Sequence, residues 1–259
     1  MTHESNSPTH LLAYSIILVL TSFGCAASLA DEATPEITGQ FAGLSYVETL
    51  TGGADVGDEL PMLIALHYMT GSPATSIEHY GGVDVPARLL SLEGPYEFEE
   101  GFSWFPDGYY ELEAASQAEI TVSIADRIAS FIQEATEAFP TRGKPILTGY
   151  SQGADLTHVI ALREPELILA GLPMGGRFRD DWPAETTEST ELLPTIILFH
   201  GATDTAVNVS ESLAAATYYA ANGVTVVLNI YAGVGHAYPV QMKKDFQNVF
   251  GRLVQSAAD

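Results

Sequence analysis

The sequence predicts an α/β fold: a doubly wound, mostly parallel sheet with helices on both faces. Three observations predict it. Strand-like and helix-like segments alternate from residue 61 to residue 254, the rhythm of a sheet whose crossovers are helices. Residues 61–66, Pro-Met-Leu-Ile-Ala-Leu, are apolar at every position, as in a strand covered on both faces rather than one. Ser151, Asp204 and His236 each fall just after a predicted strand, and such sheets collect their functional groups at the carboxyl ends of strands.

The first segment reads as an address rather than as fold. Residues 1–10 are polar, 11–20 apolar, and Ser28-Leu29-Ala30 supplies small residues ahead of Asp31-Glu32, the layout of a secretion signal cleaved after Ala30. No Lys or Arg precedes Arg88, so the positive charge of this leader rests on the amino terminus. The apolar run is too short to span a bilayer, and no later stretch approaches the required length, so no transmembrane segment is expected. Cys25 follows Gly24, which makes a lipoprotein signal the lesser alternative, with Ser22 standing where leucine is usual. The expectation is therefore a signal peptide over 1–30, one domain over 31–259, and a secreted or periplasmic location. Cys25 is the only cysteine, so the mature chain has neither disulfides nor thiol catalysis. A formal charge of −23, spread along the chain, disfavours nucleic acid and anionic membranes as partners.

In the mature chain, residues 36–49 alternate through Ile37, Phe41, Leu44, Tyr46 and Val47 and predict an edge hairpin, followed by a glycine and aspartate loop over 51–59. The strand at 61–66 ends at His67-Tyr68-Met69-Thr70-Gly71, a loop whose backbone amides are placed to face a substrate. Residues 87–92 predict another strand. Residues 94–110 are the least regular stretch, with seven aromatic residues among glycines and prolines, most of them read as core. Ile120, Ile124, Ile128, Phe131 and Ala135 mark a long amphipathic helix that ends before Pro140. Residues 144–148 predict a buried strand, and Ala154, Leu156, Val159, Ile160 and Leu162 recur at helical spacing up to Pro165. Strands are predicted at 167–172, 195–199 and 225–231. Helices are predicted at 210–222, stopped by Gly223, and at 240–254.

Between the strand at 144–148 and its helix lies Gly149-Tyr150-Ser151-Gln152-Gly153. A serine hydroxyl is a poor nucleophile unless the backbone lifts it out beside a base, and glycines on either side permit that strained turn. An aspartate in His200-Gly201-Ala202-Thr203-Asp204 and a histidine in Gly233-Val234-Gly235-His236 follow in the chain, giving the order serine, acid, histidine. The other candidates have simpler readings. His67 and His200 are expected to hydrogen-bond loop backbone, His79 and His158 to be surface or helix residues, and Asp155 to cap or face solvent. Asp180 and Asp181 stand in reserve as acids. No metal, phosphate or dinucleotide motif occurs, so no cofactor is expected.

These motifs, together with Ser103-Trp104-Phe105, resemble α/β-hydrolases of the phospholipase/carboxylesterase group that includes acyl-protein thioesterases, over most of residues 61–254. His236-Ala237-Tyr238-Pro239 carries a fainter likeness to secreted polyester depolymerase-like esterases. The resemblance implies an α/β-hydrolase fold with Ser151 as nucleophile, His236 as general base and then acid, and Asp204 holding the imidazole. It implies an oxyanion hole from the amides of Met69 and Gln152. It also places the Ser-Trp-Phe segment near the site, making Trp104 and Phe105 substrate contacts alongside Tyr68 and Tyr238. One departure stands out: the family's His-Gly-Leu at the oxyanion loop is His67-Tyr68-Met69 here, a narrower entrance. The function expected is hydrolysis of a small-molecule or lipid-like carboxylic ester with a short to medium acyl chain. A serine peptidase and a hydrolase-fold protein that binds without turnover are the alternatives, and the oligomeric state is left open.

Overall fold

Alternating side chains divide the hydrophobic residues between two faces of one sheet. In the computed structural model, which describes residues 38–179, 182 and 194–256, the elements run in the following order. An edge hairpin, β1 (Gly39–Phe41) and β2 (Leu44–Thr51), precedes β3 (Met62–Leu66), α1 (Pro73–Tyr80) and β4 (Ala87–Leu92). A small hairpin, β5 (Tyr96–Phe98) and β6 (Gly101–Ser103), leads to the long helix α2 (Ala114–Ala138). Then come β7 (Ile146–Tyr150), α3 (Gln152–Arg163), β8 (Ala170–Met174), β9 (Thr195–Gly201), α4 (Ser210–Ala221), β10 (Val226–Tyr231) and α5 (Val240–Ser256).

The main sheet has eight strands in the order β1-β2-β4-β3-β7-β8-β9-β10. The hairpin and its β2–β4 pairing are antiparallel, and every pairing from β4 to β10 is parallel. Period two does the rest. Met62, Ile64 and Leu66 face one core with α2 and α3, whereas Leu63 and Ala65 face another with α1 and α5. Two covered faces explain why β3, β4, β7 and β8 are buried at every residue.

The sheet's register places the functional loops. Leu66 pairs with Gly149, and Tyr150 with Met174, so β3, β7 and β8 end together, and β9 and β10 end alongside at Gly201 and Tyr231. The loops at 67–71, 151, 175–179, 202–209 and 232–239 therefore open on one edge.

Several expectations need correction. Helix α1 was not anticipated; Pro73 stands at its start, where the missing N–H is harmless, and the Thr75 hydroxyl accepts the Ser72 N–H at 2.9 Å. Strand β8 starts at Ala170 rather than 167, since Pro165–Leu167 forms a tight 3-10 turn. Residues 94–110 are more regular than expected, holding β5, β6 and a turn at Tyr109–Glu111. Among the described residues no helix is long and apolar enough to cross a membrane. The segment 1–30 read as a leader, and the reserve acids Asp180 and Asp181, lie outside the described residues.

Candidate active site

Ser151 sits at the junction of β7 and α3 with φ 55° and ψ −116°, a conformation that L-residues rarely adopt and that costs on the order of 1–3 kcal/mol. The flanking glycines are demanded by sterics. A Cβ on Gly149 would lie 2.2 Å from the Gly153 carbonyl carbon, and one on Gly153 would lie 2.4 Å from the Leu66 oxygen. The turn is thus squeezed between β3 and its own helix, and the serine projects into the open edge.

His236 and Asp204 arrive from the loops after β10 and β9. His236 Nε2 lies 3.0 Å from Ser151 Oγ, and His236 Nδ1 lies 2.7 Å from Asp204 Oδ2. Asp204 is held by its own loop, its Oδ1 accepting the N–H groups of Ala206 and Val207 at 2.9 Å each. Its carboxyl is almost wholly enclosed while the imidazole stays about a quarter exposed, so the acid is shielded from water and the base reaches the cleft. The Tyr150 ring stacks on the imidazole at 5.1 Å. Burial first, and then the Asp204 charge, push the Tyr150 hydroxyl's pKa up.

Ser151 and His236 border a cleft of about 640 Å³, within the usual range for small-ligand sites, and Asp204 stays enclosed behind the imidazole. One wall is aromatic: Tyr68, His79, Tyr150 and Tyr238 line it, with His79 and Tyr238 4.5 Å apart and Tyr68 and Tyr150 5.6 Å apart. The other carries Tyr110, Asp155 and Arg177, with Ala206 and Val207 nearby. Met69 lines the cleft beside Ser151. Its loop is pinned by the N–H groups of Thr70 and Gly71, which donate to Phe102 O and Tyr68 O. Gln152 is the first residue of α3, where backbone amides point out of the helix.

Trp104 and Phe105 do not line the cleft; both are buried in the core. The expectation that they touch substrate is corrected: an indole needs a partner for its N–H when buried, and this one donates to His67 O at 2.8 Å. The Gln152 side chain accepts the Trp104 N–H at 3.0 Å, and His67 stacks on the indole at 5.0 Å. The Ser103-Trp104-Phe105 segment is therefore the support beneath the loop 67–71. Tyr68 and Tyr238, in contrast, do reach the cleft.

His67 donates from Nδ1 to Tyr68 O at 2.6 Å and accepts the Gly94 N–H at Nε2 at 2.9 Å, an arrangement that requires the neutral ring. Burial lowers its pKa to about 4. His200 bonds Val207 O and the Ser212 hydroxyl, a loop-bracing role as expected. His158 is a helix residue, on α3, buried against the Tyr219 hydroxyl at 3.0 Å, and burial lowers its pKa to about 3. His79, expected on a surface or helix, is on α1 and faces the cleft.

Asp155 neither caps nor faces solvent. It is 1 % exposed and bound by Arg177, from Nε at 2.9 Å, from Nη2 at 2.6 Å, and from the backbone N–H at 2.6 Å. Burial pushes the carboxyl's pKa up, and Arg177 pulls it back. Sequence reasoning missed Arg177, Tyr110, His79 and Tyr150 as cleft residues; only Tyr150 carried a signal, lying next to the serine.

The profile of the phospholipase/carboxylesterase family matches residues 90–251. No match was found among curated proteins. Among solved structures, the chain is similar to esterase PE8 (20 % identity over 81 % of this chain and 99 % of that one, TM-score 0.69). It is also similar to the Bacillus cereus carboxylesterase (15 % identity, 80 % and 94 % covered, TM-score 0.67). Arabidopsis thaliana SOBER1 matches at 21 % identity, with 74 % and 98 % covered and a TM-score of 0.60. At such identities these likenesses fix the fold, that of the α/β-hydrolases, while the profile spans more than half of the chain. The chain belongs to the phospholipase/carboxylesterase family and is an esterase-type hydrolase.

Proposed function

We propose that the protein is an exported serine esterase that cleaves short to medium acyl esters through Ser151, His236 and Asp204. The observation that carries this reading is the continuous chain from Ser151 Oγ through His236 to Asp204, at 3.0 and 2.7 Å, with Ser151 and His236 lining the cleft. In the reaction, Ser151 Oγ attacks the ester carbonyl carbon as His236 Nε2 takes its proton. Asp204 accepts from His236 Nδ1, fixing the tautomer that leaves Nε2 basic and stabilising the imidazolium. The N–H groups of Met69 and Gln152 receive the tetrahedral oxyanion. The intermediate collapses, the alcohol leaves with the proton from His236, and water activated by the same imidazole hydrolyses the acyl-serine to acid and free enzyme.

Two features support the chain-length preference. Tyr68 and Tyr238 narrow the aromatic wall, and the opposite wall carries the Asp155–Arg177 pair, against which a long alkyl chain gains little. Export rests on the leader over 1–30 and would give a mature chain beginning at Asp31. A panel of p-nitrophenyl esters from acetate to palmitate tests the reading. Butyrate is expected to exceed palmitate in kcat/KM, and Ser151→Ala to lose several orders of magnitude of rate while remaining folded. A Ser151→Ala protein retaining a tenth of the activity overturns the nucleophile, and faster palmitate turnover by the wild type overturns the narrow cleft.

A further inference from the structure

The polar wall of the cleft holds hydrogen-bond donors that acyl transfer itself does not use. Their direction follows from Gln152. The Trp104 backbone N–H can only donate, so the side-chain atom of Gln152 that receives it at 3.0 Å is the carbonyl oxygen. The other end of that amide is then the NH2 group, and it lies 3.0 Å from the Tyr110 hydroxyl. Tyr110 Oη therefore accepts from Gln152, and its own proton is directed to another acceptor. Tyr110 lines the cleft and is 47 % exposed, so the acceptor available there is solvent or substrate.

Beside it lies Arg177, its guanidinium 4.7 Å from the centre of the Tyr110 ring. Asp155 occupies two of its nitrogens and the Tyr109 hydroxyl also bonds to it, while a guanidinium carries five N–H donors. The pair is also asymmetric: the Arg177 side chain is 25 % exposed and that of Asp155 only 2 %. Both residues line the cleft, and the more exposed Arg177 presents the donor end of the ion pair to it. Asp155 follows Ser151 by one turn of α3, about 6 Å along the helix, so the Arg177 guanidinium that binds Asp155 enters the same cleft as the nucleophile.

We propose that Tyr110 and Arg177 form an acceptor-binding subsite that selects esters carrying a second carbonyl-type oxygen, either a neutral ester carbonyl or a carboxylate, three or four carbons from the scissile bond. This rests on the esterase reading above and names the substrate class that reading leaves open. The two sources share one chemistry, a planar oxygen acceptor between a phenol O–H and a guanidinium, and the net charge of −23 sets them against each other by repelling an anion at long range.

The test compares p-nitrophenyl heptanoate with the p-nitrophenyl ester of monomethyl glutarate, which has the same chain length and leaving group but an ester in the chain. The wild type is expected to favour the glutarate by about tenfold or more in kcat/KM, the scale of one charge-assisted hydrogen bond. Tyr110→Phe and Arg177→Lys, the latter keeping a cation for Asp155, are expected to bring the ratio to within about threefold. Because both substrates are read on the same protein, general damage to a variant cancels. The free-acid glutarate ester separates the sources: faster than heptanoate, it adds carboxylates to the class; slower, it restricts the class to neutral carbonyls. A wild-type ratio near one, or a ratio that survives both substitutions, overturns the subsite. Binding of dimethyl glutarate against methyl heptanoate to Ser151→Ala judges the subsite without turnover. Tighter diester binding supports it and equal binding overturns it, whether or not the wild type hydrolyses any ester.

Discussion

Two histidines close two loops at the same edge of the sheet, and their surroundings give them opposite duties. His67 follows β3, is 2 % exposed, and spends both ring nitrogens on backbone groups of its own neighbourhood. His236 follows β10, is partly exposed, and spends one nitrogen on a buried carboxylate and the other on a serine. Each lies in a loop that also holds glycine, so local sequence scarcely distinguishes them. The difference lies in what the third dimension brings: Trp104 against the first, Asp204 and Ser151 against the second. A ring sealed in by backbone partners and an indole is scaffold, whereas one braced by an anion and open on its far side is equipped to move a proton.

The comparison breaks most sharply at Asp204. Asp204→Asn keeps an oxygen for the Ala206 and Val207 amides but presents an NH2 group to His236 Nδ1, which favours the wrong tautomer. We expect kcat to fall by about four orders of magnitude with the fold intact, read from ester kinetics and circular dichroism. A nearly wild-type rate would remove Asp204 from its role and turn attention to Asp180 or Asp181.

On the scaffold side, Trp104→Ala should act on stability before chemistry. The ring is wholly buried and its N–H holds the loop 67–71, so a loss of about 3–5 kcal/mol is expected in urea unfolding. A stable Trp104→Ala protein with an altered KM alone would restore the indole to the substrate side.

A smaller effect comes from pH. Burial holds His67 at about 4 and His158 at about 3, below the ordinary value near 6.5. Between those values the unfolded chain binds protons that the folded chain refuses, so stability falls as pH drops. The contribution of these two rings is complete above pH 6.5. It is lost from there down to pH 4 at about 1.4 kcal/mol per unit for each ring. Replacing His158 by Phe should remove one share of that slope in unfolding titrations, whereas an unchanged slope would mean that His158 takes up its proton in the folded state.

Much of the fold was legible because its signals are local and redundant. Fully apolar strands, helices with a four-residue apolar repeat and the glycine-bounded serine each state their structure within a dozen residues. Ser151, Asp204 and His236 were legible because chain order narrows the choice. The walls of the cleft were not. Trp104 and Tyr68 both stand next to loops and both are aromatic; which ring faces substrate is settled by the Gln152 amide and the His67 carbonyl, contacts that span tens of residues. Arg177 looked like one of several charges in a polar loop, and Asp155 like an exposed helix residue, until the fold brought them within 2.6 Å. Helix α1 was hidden because Pro73 at a helix start and Pro73 in a loop look alike.

The central claim is that Ser151 is an activated nucleophile and not merely an exposed hydroxyl. Its most direct test is a fluorophosphonate reaction followed by peptide mass spectrometry, since only a serine whose proton can be taken attacks the phosphorus. The account predicts one adduct per chain, located on Ser151, formed by the wild type and by Tyr110→Phe and absent from Ser151→Ala. An unlabelled wild type, or an adduct on any other residue, would contradict it.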